Sequence, residues 1–235
     1  MRNKRTTLNW PKRFVELHSR ANDPRLRQYY AEGSVAADCL LHQAPLVALD
    51  FETTGLDPQQ DDIVSIGLVP FSLQRIRIQE AQEWLVKPNQ PLEQQSVVIH
   101  GITHNEVKSA PDLNIIIEPL LQALAGCIVV VHYRTIERQF IHHALMQRIQ
   151  ESLEFPVIDT MDIEQQALLR RQGLIGRVLR RPLESLRLSD CRRRYSLPFY
   201  SAHHALTDAV ATAELFQAQV SYHYRDDVRV GDLWR

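Results

Sequence analysis

At Leu113 the apolar pattern of the sequence changes period, and that change constrains the fold more than any other feature. Before it lie three apolar runs, "PLVALDF" from Pro45, "DIVSIGLVPF" from Asp62 and "AQEWLVKP" from Ala81. They read as strands, and their connections are short enough for an antiparallel meander. From Leu113 apolar residues recur at helical spacing as far as Gly126. "CIVVVHY" then follows as an apolar run between two helices, the mark of a central parallel strand. A helix over residues 135–150, a short strand at "FPVID" and helices over 161–171, 183–194 and 204–220 complete the order.

Three meander strands followed by alternating helix and strand describe an α/β protein, a mixed five-stranded sheet flanked by helices in the ribonuclease-H-like arrangement. Residues 8–32 mix helical spacing with Pro11 and Pro24 and read as short helices, with Gly33 to Ala37 as a joint. The expected layout is an N-terminal helical extension at 1–40, a main domain at 41–220 and a short tail at 221–235. A chain of 235 residues can bury a full core, and 44% hydrophobic with 23% charged residues suits a globular protein in water. The basic start carries no apolar signal region, and no run approaches eighteen apolar residues. Both features point to a cytoplasmic protein with no membrane partner. Cys39, Cys127 and Cys191 are odd in number and far apart, which suits free thiols rather than a disulfide framework or a zinc site.

The net charge of −1 is unevenly spread: residues 1–40 carry +4 and residues 170–194 carry +7, leaving −12 for the rest. An arginine run such as "CRRRYSLP" suits either a solvated helix face or contacts with a phosphate backbone through Arg192, Arg193 and Arg194.

Two carboxylates interrupt an otherwise apolar strand. In "LVALDFETTG" the period of two places Asp50 and Glu52 on one face, and Leu46 to Leu49 mark the strand as buried on both faces. Like charges so close repel: they lie either on a solvated edge or against a neutralising cation, for which oxygen-only ligands suit magnesium or manganese. In "SAHHALTDAVATAELF" Asp208 shares a helix face with Ala205, Ala211, Thr212 and Leu215, a packed surface on which an isolated charge needs a partner or a metal. His203 converges with it only from the loop or first turn of that helix. Glu137 in "HYRTIERQFI" has two readings: a helix-surface acid paired with Arg134 at i, i+3, or a further acid of a metal site.

"DFETTG", "HYRTIERQFI" and "HHALTDA", in that order and spacing, resemble the three motifs of the DnaQ-like exonucleases of the DEDDh group. The likeness extends over about residues 45–218 to "IHGIT", "VIDTM" and "SLRLSDCRRRYSLP", and is nearest to the proofreading epsilon subunit of bacterial DNA polymerase III. The resemblance implies that Asp50, Glu52 and Asp208 hold two Mg2+ or Mn2+ ions with His203 as general base, a role suited to imidazole. It implies a pocket for the terminal nucleotide lined by Thr53, Gly55 and His100. The expected substrates are single-stranded DNA or RNA 3′ ends, and the product a nucleoside 5′-monophosphate. The second motif departs from the family, with His132-Tyr133 and Ile136-Glu137 where most members have His-Asn and Phe-Asp. Ile136 still offers an apolar wall to the substrate, and Glu137 keeps the charge of the metal site one methylene further out. The alternative is a domain of the same fold that binds nucleic acid with weakened turnover or docks in a replication complex. The stretch after the last helix is short for a polymerase-binding tail, so the expectation is a stand-alone nuclease, with replication or repair proteins as candidate partners.

Overall fold

The computed structural model describes residues 8–89, 101–178, 182–201 and 203–235, with side chains undescribed over 174–178. Five strands form one sheet: β1 (Leu46–Thr53), β2 (Ile63–Phe71), β3 (Gln82–Leu85), β4 (Ile128–Val131) and β5 (Val157–Asp159). Their order is β3-β2-β1-β4-β5. The meander pairs antiparallel and the strands after the period change pair parallel, as the connection lengths require. All four residues of β4 are fully buried, the signature of a strand covered on both faces. This is the α/β, ribonuclease-H-like sheet expected from the sequence.

Local chemistry fixes where each helix begins. Asn9 caps α1 (Trp10–Arg20) and Asp23 caps α2 (Pro24–Ala31), so that Pro11 and Pro24 fall in first turns, where a missing N–H costs nothing. A Thr103–Glu106 capping box opens α3 (His104–Ser109), and Asp112 opens α4 (Leu113–Leu124). α5 (Thr135–Ile149) follows β4. α6 (Thr160–Val178) follows β5 and is broken at Gly173, whose φ of +65° suits only glycine. α7 (Leu188–Arg194), α8 (Ala205–His223) and α9 (Val230–Leu233) complete the described α-helices.

The helix expected over 183–194 starts at Leu188 instead. Two contacts divert the preceding chain: the Arg187 N–H donates to Ser185 Oγ at 3.3 Å, and the Leu186 carbonyl meets His132 Nε2 at 2.8 Å. Groups satisfied in this way have no need of a helical turn.

One apolar core takes in the sheet together with Trp10, Phe14, Leu26, Tyr29 and Tyr30 from the first two helices and Val230, Leu233 and Trp234 from the end of the chain. The Trp10 indole donates to the Arg235 carbonyl at 3.0 Å, and the Arg235 N–H donates to Val157 on the edge strand β5 at 2.8 Å. The stretches laid out as extension, domain and tail therefore share one interior. α8 lies across β1 and β2 and brings its first turn to the end of the sheet where the carboxylates stand.

Candidate active site

Asp50 and Glu52 project from β1, and Asp208 reaches them from the first turn of α8. Ligand oxygens of the three lie within 4.8 Å of one another. Glu52 is 8% exposed. Burial, then Asp208 and Glu83, push its carboxyl up to about 8. Burial also raises Asp50 well above the usual carboxylate range, and the fields of Glu137, Asp208 and Glu52 add to it. Asp208 is raised by burial, against the lowering effect of the His203 backbone N–H, which donates to its Oδ2 at 2.8 Å. His203 itself is solvent-exposed with a left-handed φ of +71°, held at the helix entrance by that hydrogen bond.

Glu137 stands in the first turn of α5, 2% exposed, and its Oε2 has no hydrogen-bond partner among the described residues. Burial raises its carboxyl well above the usual range, and Asp159 adds to the rise. Glu137 is outside the three-residue cluster, but its charge is the largest neighbouring field on Asp50. The helix-surface reading of Glu137 fails. Arg134 directs its guanidinium to Asp159 at 2.9 Å and Asp162 at 2.6 Å, leaving the glutamate to the interior.

Three clustered carboxylates, with the buried and partly unpaired Glu137 acting on Asp50, fit a hard divalent cation: neutralising them in place offsets a repulsion that burial amplifies. The ligand atoms available are carboxylate oxygens of Asp50, Glu52 and Asp208, and the charge of Glu137 acts on Asp50 from outside that cluster.

The other expected site residues divide. Thr53 donates its hydroxyl to the Gly55 carbonyl at 2.6 Å, bracing the loop after β1. Gly55 faces the Asp61 side chain, whose Oδ2 would stand 2.4 Å from a Cβ there, so a larger residue would have to turn that carboxylate aside. That carboxylate also accepts the Thr54 hydroxyl and the Asp57 N–H. Ile136 is half-buried against the core beside Glu137. His100 lies outside the described residues. His132 serves the fold, bridging Thr160 Oγ1 at 2.8 Å and the Leu186 carbonyl at 2.8 Å.

Of the arginine run, two members are taken by the fold. Arg192 is buried, donating to the Ala211 and Pro198 carbonyls and to Glu214 Oε2 at 2.6 Å, and Arg194 pairs with Glu164 at 2.7 Å. Arg193 faces solvent, with its side chain 79% exposed and its guanidinium 3.3 Å from Asp190 Oδ1.

Sequence reasoning missed Asp159, a 3% exposed carboxylate at the end of β5. It accepts the N–H groups of Tyr133, Arg134 and Met161 and so fixes the entry of α5 that carries Glu137. The signal was present: "FPVID" ends an apolar strand in an acid, as "PLVALD" does.

The family model for RNase T, described as exonuclease, matches residues 47–216. A PolC-type DNA polymerase III from Thermotoga petrophila is 30% identical over 183 residues, 78% of this chain and 12% of that protein. The chain thus spans about an eighth of the length of that relative. DNA polymerase III subunit epsilon of Treponema pallidum is 26% identical over 180 residues, 77% of this chain and 78% of the relative. Among solved structures, the nuclease domain of 3′hExo, a DEDDh family member bound to rAMP, superposes with a TM-score of 0.62 at 14% identity, covering 76% of this chain and 92% of that one.

Proposed function

This chain belongs to the exonuclease family matched over residues 47–216, and from that premise we propose that it removes nucleoside 5′-monophosphates one at a time from the 3′ ends of single-stranded DNA or RNA. The observation that carries the reading is the meeting of Asp50, Glu52 and Asp208, three carboxylates within 4.8 Å at the ends of β1 and α8. The relatives named as a PolC-type DNA polymerase III and as a DNA polymerase III subunit epsilon support a DNA substrate and a setting in replication, while the neighbour bound to rAMP supports a ribonucleotide product.

In this mechanism Asp50, Glu52 and Asp208 would hold the metal ions, with Glu137 adding its negative field at Asp50. When bound, Mg2+ or Mn2+ activates water and stabilises charge on the leaving 3′ oxygen. His203, exposed at the start of α8, takes the proton of the attacking water, and the Asp208 contact to its backbone keeps the ring at the mouth of the site. Gly55 and the braced loop after β1 give the terminal nucleotide close access to backbone, and Ile136 supplies an apolar wall to its sugar. Among the described residues no helix is long and apolar enough to cross a membrane.

The test is a 3′-labelled single-stranded oligonucleotide incubated with the purified chain. Mononucleotide should be released with magnesium or manganese and not in EDTA, and Asp50→Asn, Asp208→Asn and His203→Ala should each slow release by roughly a hundredfold or more. Full activity in EDTA, or in the Asp50→Asn protein, overturns the proposal. A panel of DNA and RNA strands then decides between the substrates.

A further inference from the structure

Gly67 lies within β2, directly across from Asp50 on β1 and from Glu83 on β3. Residues in direct register point to the same face of a sheet. The row Asp50, Gly67, Glu83 therefore presents two carboxylates with a bare gap between them. The first turn of α8 fills that gap. A Cβ at Gly67 would stand 2.2 Å from the Ala205 carbonyl carbon, 2.2 Å from the Leu206 nitrogen and 2.4 Å from the Ala205 oxygen, where ordinary contact begins at 3.4 Å. All three are helix backbone atoms, which cannot rotate aside as a side chain would. The same turn is held at two places. Asp208 meets Asp50 and Glu52. His204, at the N-cap position of the helix, lies with Nδ1 3.6 Å from Glu83 Oε1, an ion pair when the imidazole is protonated, and Glu83 also accepts the Ser65 hydroxyl at 3.4 Å.

We infer that Gly67 and Glu83 form a seat for the first turn of α8, and that this seat sets the approach of Asp208 to Asp50 and Glu52. Both are positioning residues, and the inference rests on reading the three carboxylates as a metal site. Gly67 acts through the side chain it lacks: a methyl group there lifts the start of α8 by about 1 Å, because a close-packed backbone contact has no slack. Glu83 acts from the other edge, tying the cap residue to β3.

Calorimetric titration of the metal-free chain with Mn2+, alongside thermal unfolding in EDTA, tests the seat without any substrate. Gly67→Ala should weaken Mn2+ binding by roughly 10- to 100-fold, the loss that follows when the support of a metal ligand is displaced. Glu83→Ala should weaken it by roughly threefold, the scale of a partly exposed pair. Glu83→Gln, which removes the charge that faces His204 across 3.6 Å, should weaken binding by about as much as Glu83→Ala. A role in folding alone would lower the melting temperature of Gly67→Ala and leave the Mn2+ affinity of the folded protein unchanged, and that result overturns the seat. Should Gly67→Ala not fold, a Glu83→Ala protein with the parent's affinity overturns it, as does a His204→Ala protein with the parent's affinity, since loss of the Glu83 charge rather than of its contact to His204 would then account for the effect. A parent that binds Mn2+ yet cleaves no oligonucleotide overturns the exonuclease reading and leaves the seat standing.

Discussion

Glu137 holds a buried oxygen without a hydrogen-bond partner among the described residues, beside an Asp50 whose carboxyl it helps to raise. On the proposed reading, a side chain so placed weakens the metal-free fold and strengthens the cation site. Glu137→Gln should therefore raise the melting temperature in EDTA by roughly 2–4 °C, the shift that about 1 kcal/mol gives a chain of this size. It should also raise the magnesium concentration needed for half-maximal rate, because an amide is a poorer ligand for a hard cation. Superimposable magnesium titrations of parent and variant would remove Glu137 from the site. The same crowding makes stability depend on pH. Glu52 titrates near 4.5 when free and is pushed up to about 8 by burial and by Asp208. Between those values the folded, metal-free protein binds the extra proton, so this stability is complete below about 4.5 and is lost as the pH rises through about 8. Cation binding displaces that proton, so magnesium should raise the melting temperature more at pH 8 than at pH 5.5, as thermal scans with and without EDTA would record. An equal increment at both values would rule out coupling between the carboxylates.

α7 and α8 show how packing reassigns charges that look alike in sequence. "CRRR" offers three cations in a row, but a helix turns about 100° per residue, so only part of the run can face water. Arg192 points between the two helices, reaching the Ala211 carbonyl and Glu214 and lying 4.6 Å over the Tyr200 ring. Removing it leaves buried acceptors unpaired. Arg192→Ala should cost about 3 kcal/mol in urea unfolding, against less than about 0.5 kcal/mol for Arg193→Ala. Arg193→Ala is instead expected to lower the salt dependence of oligonucleotide binding by about one unit of log slope. An unchanged slope would make Arg193 a solvated residue with no phosphate contact. The late start of α7 has a similar origin, since Leu186 gives its carbonyl to a histidine 54 residues away in sequence.

Across the whole molecule, the first two helices and the last residues close the core on which the sheet rests. Trp234 is 1% exposed, and Trp234→Ala should cost about 3–5 kcal/mol in urea unfolding. The isolated stretch 41–220 lacks Trp10, Phe14, Tyr29, Tyr30 and Trp234 and uncovers the β5 edge, so it should show no cooperative unfolding transition. Cooperative melting of that piece would show that the extension is dispensable. The sequence by itself determined the strands, their order of appearance and the acids Asp50, Glu52 and Asp208, because period, capping and an acid in an apolar run are local properties carried by neighbouring side chains. It did not determine which partner each charge takes. Arg134 and Glu137 stand at ion-pair spacing, yet one turns to Asp159 and Asp162 and the other into the interior. Only the tertiary structure decided this, as it decided that α8 settles over Gly67 and that Trp10 meets Arg235. Such pairings depend on which surfaces the whole chain brings into contact, and no window of sequence contains both sides.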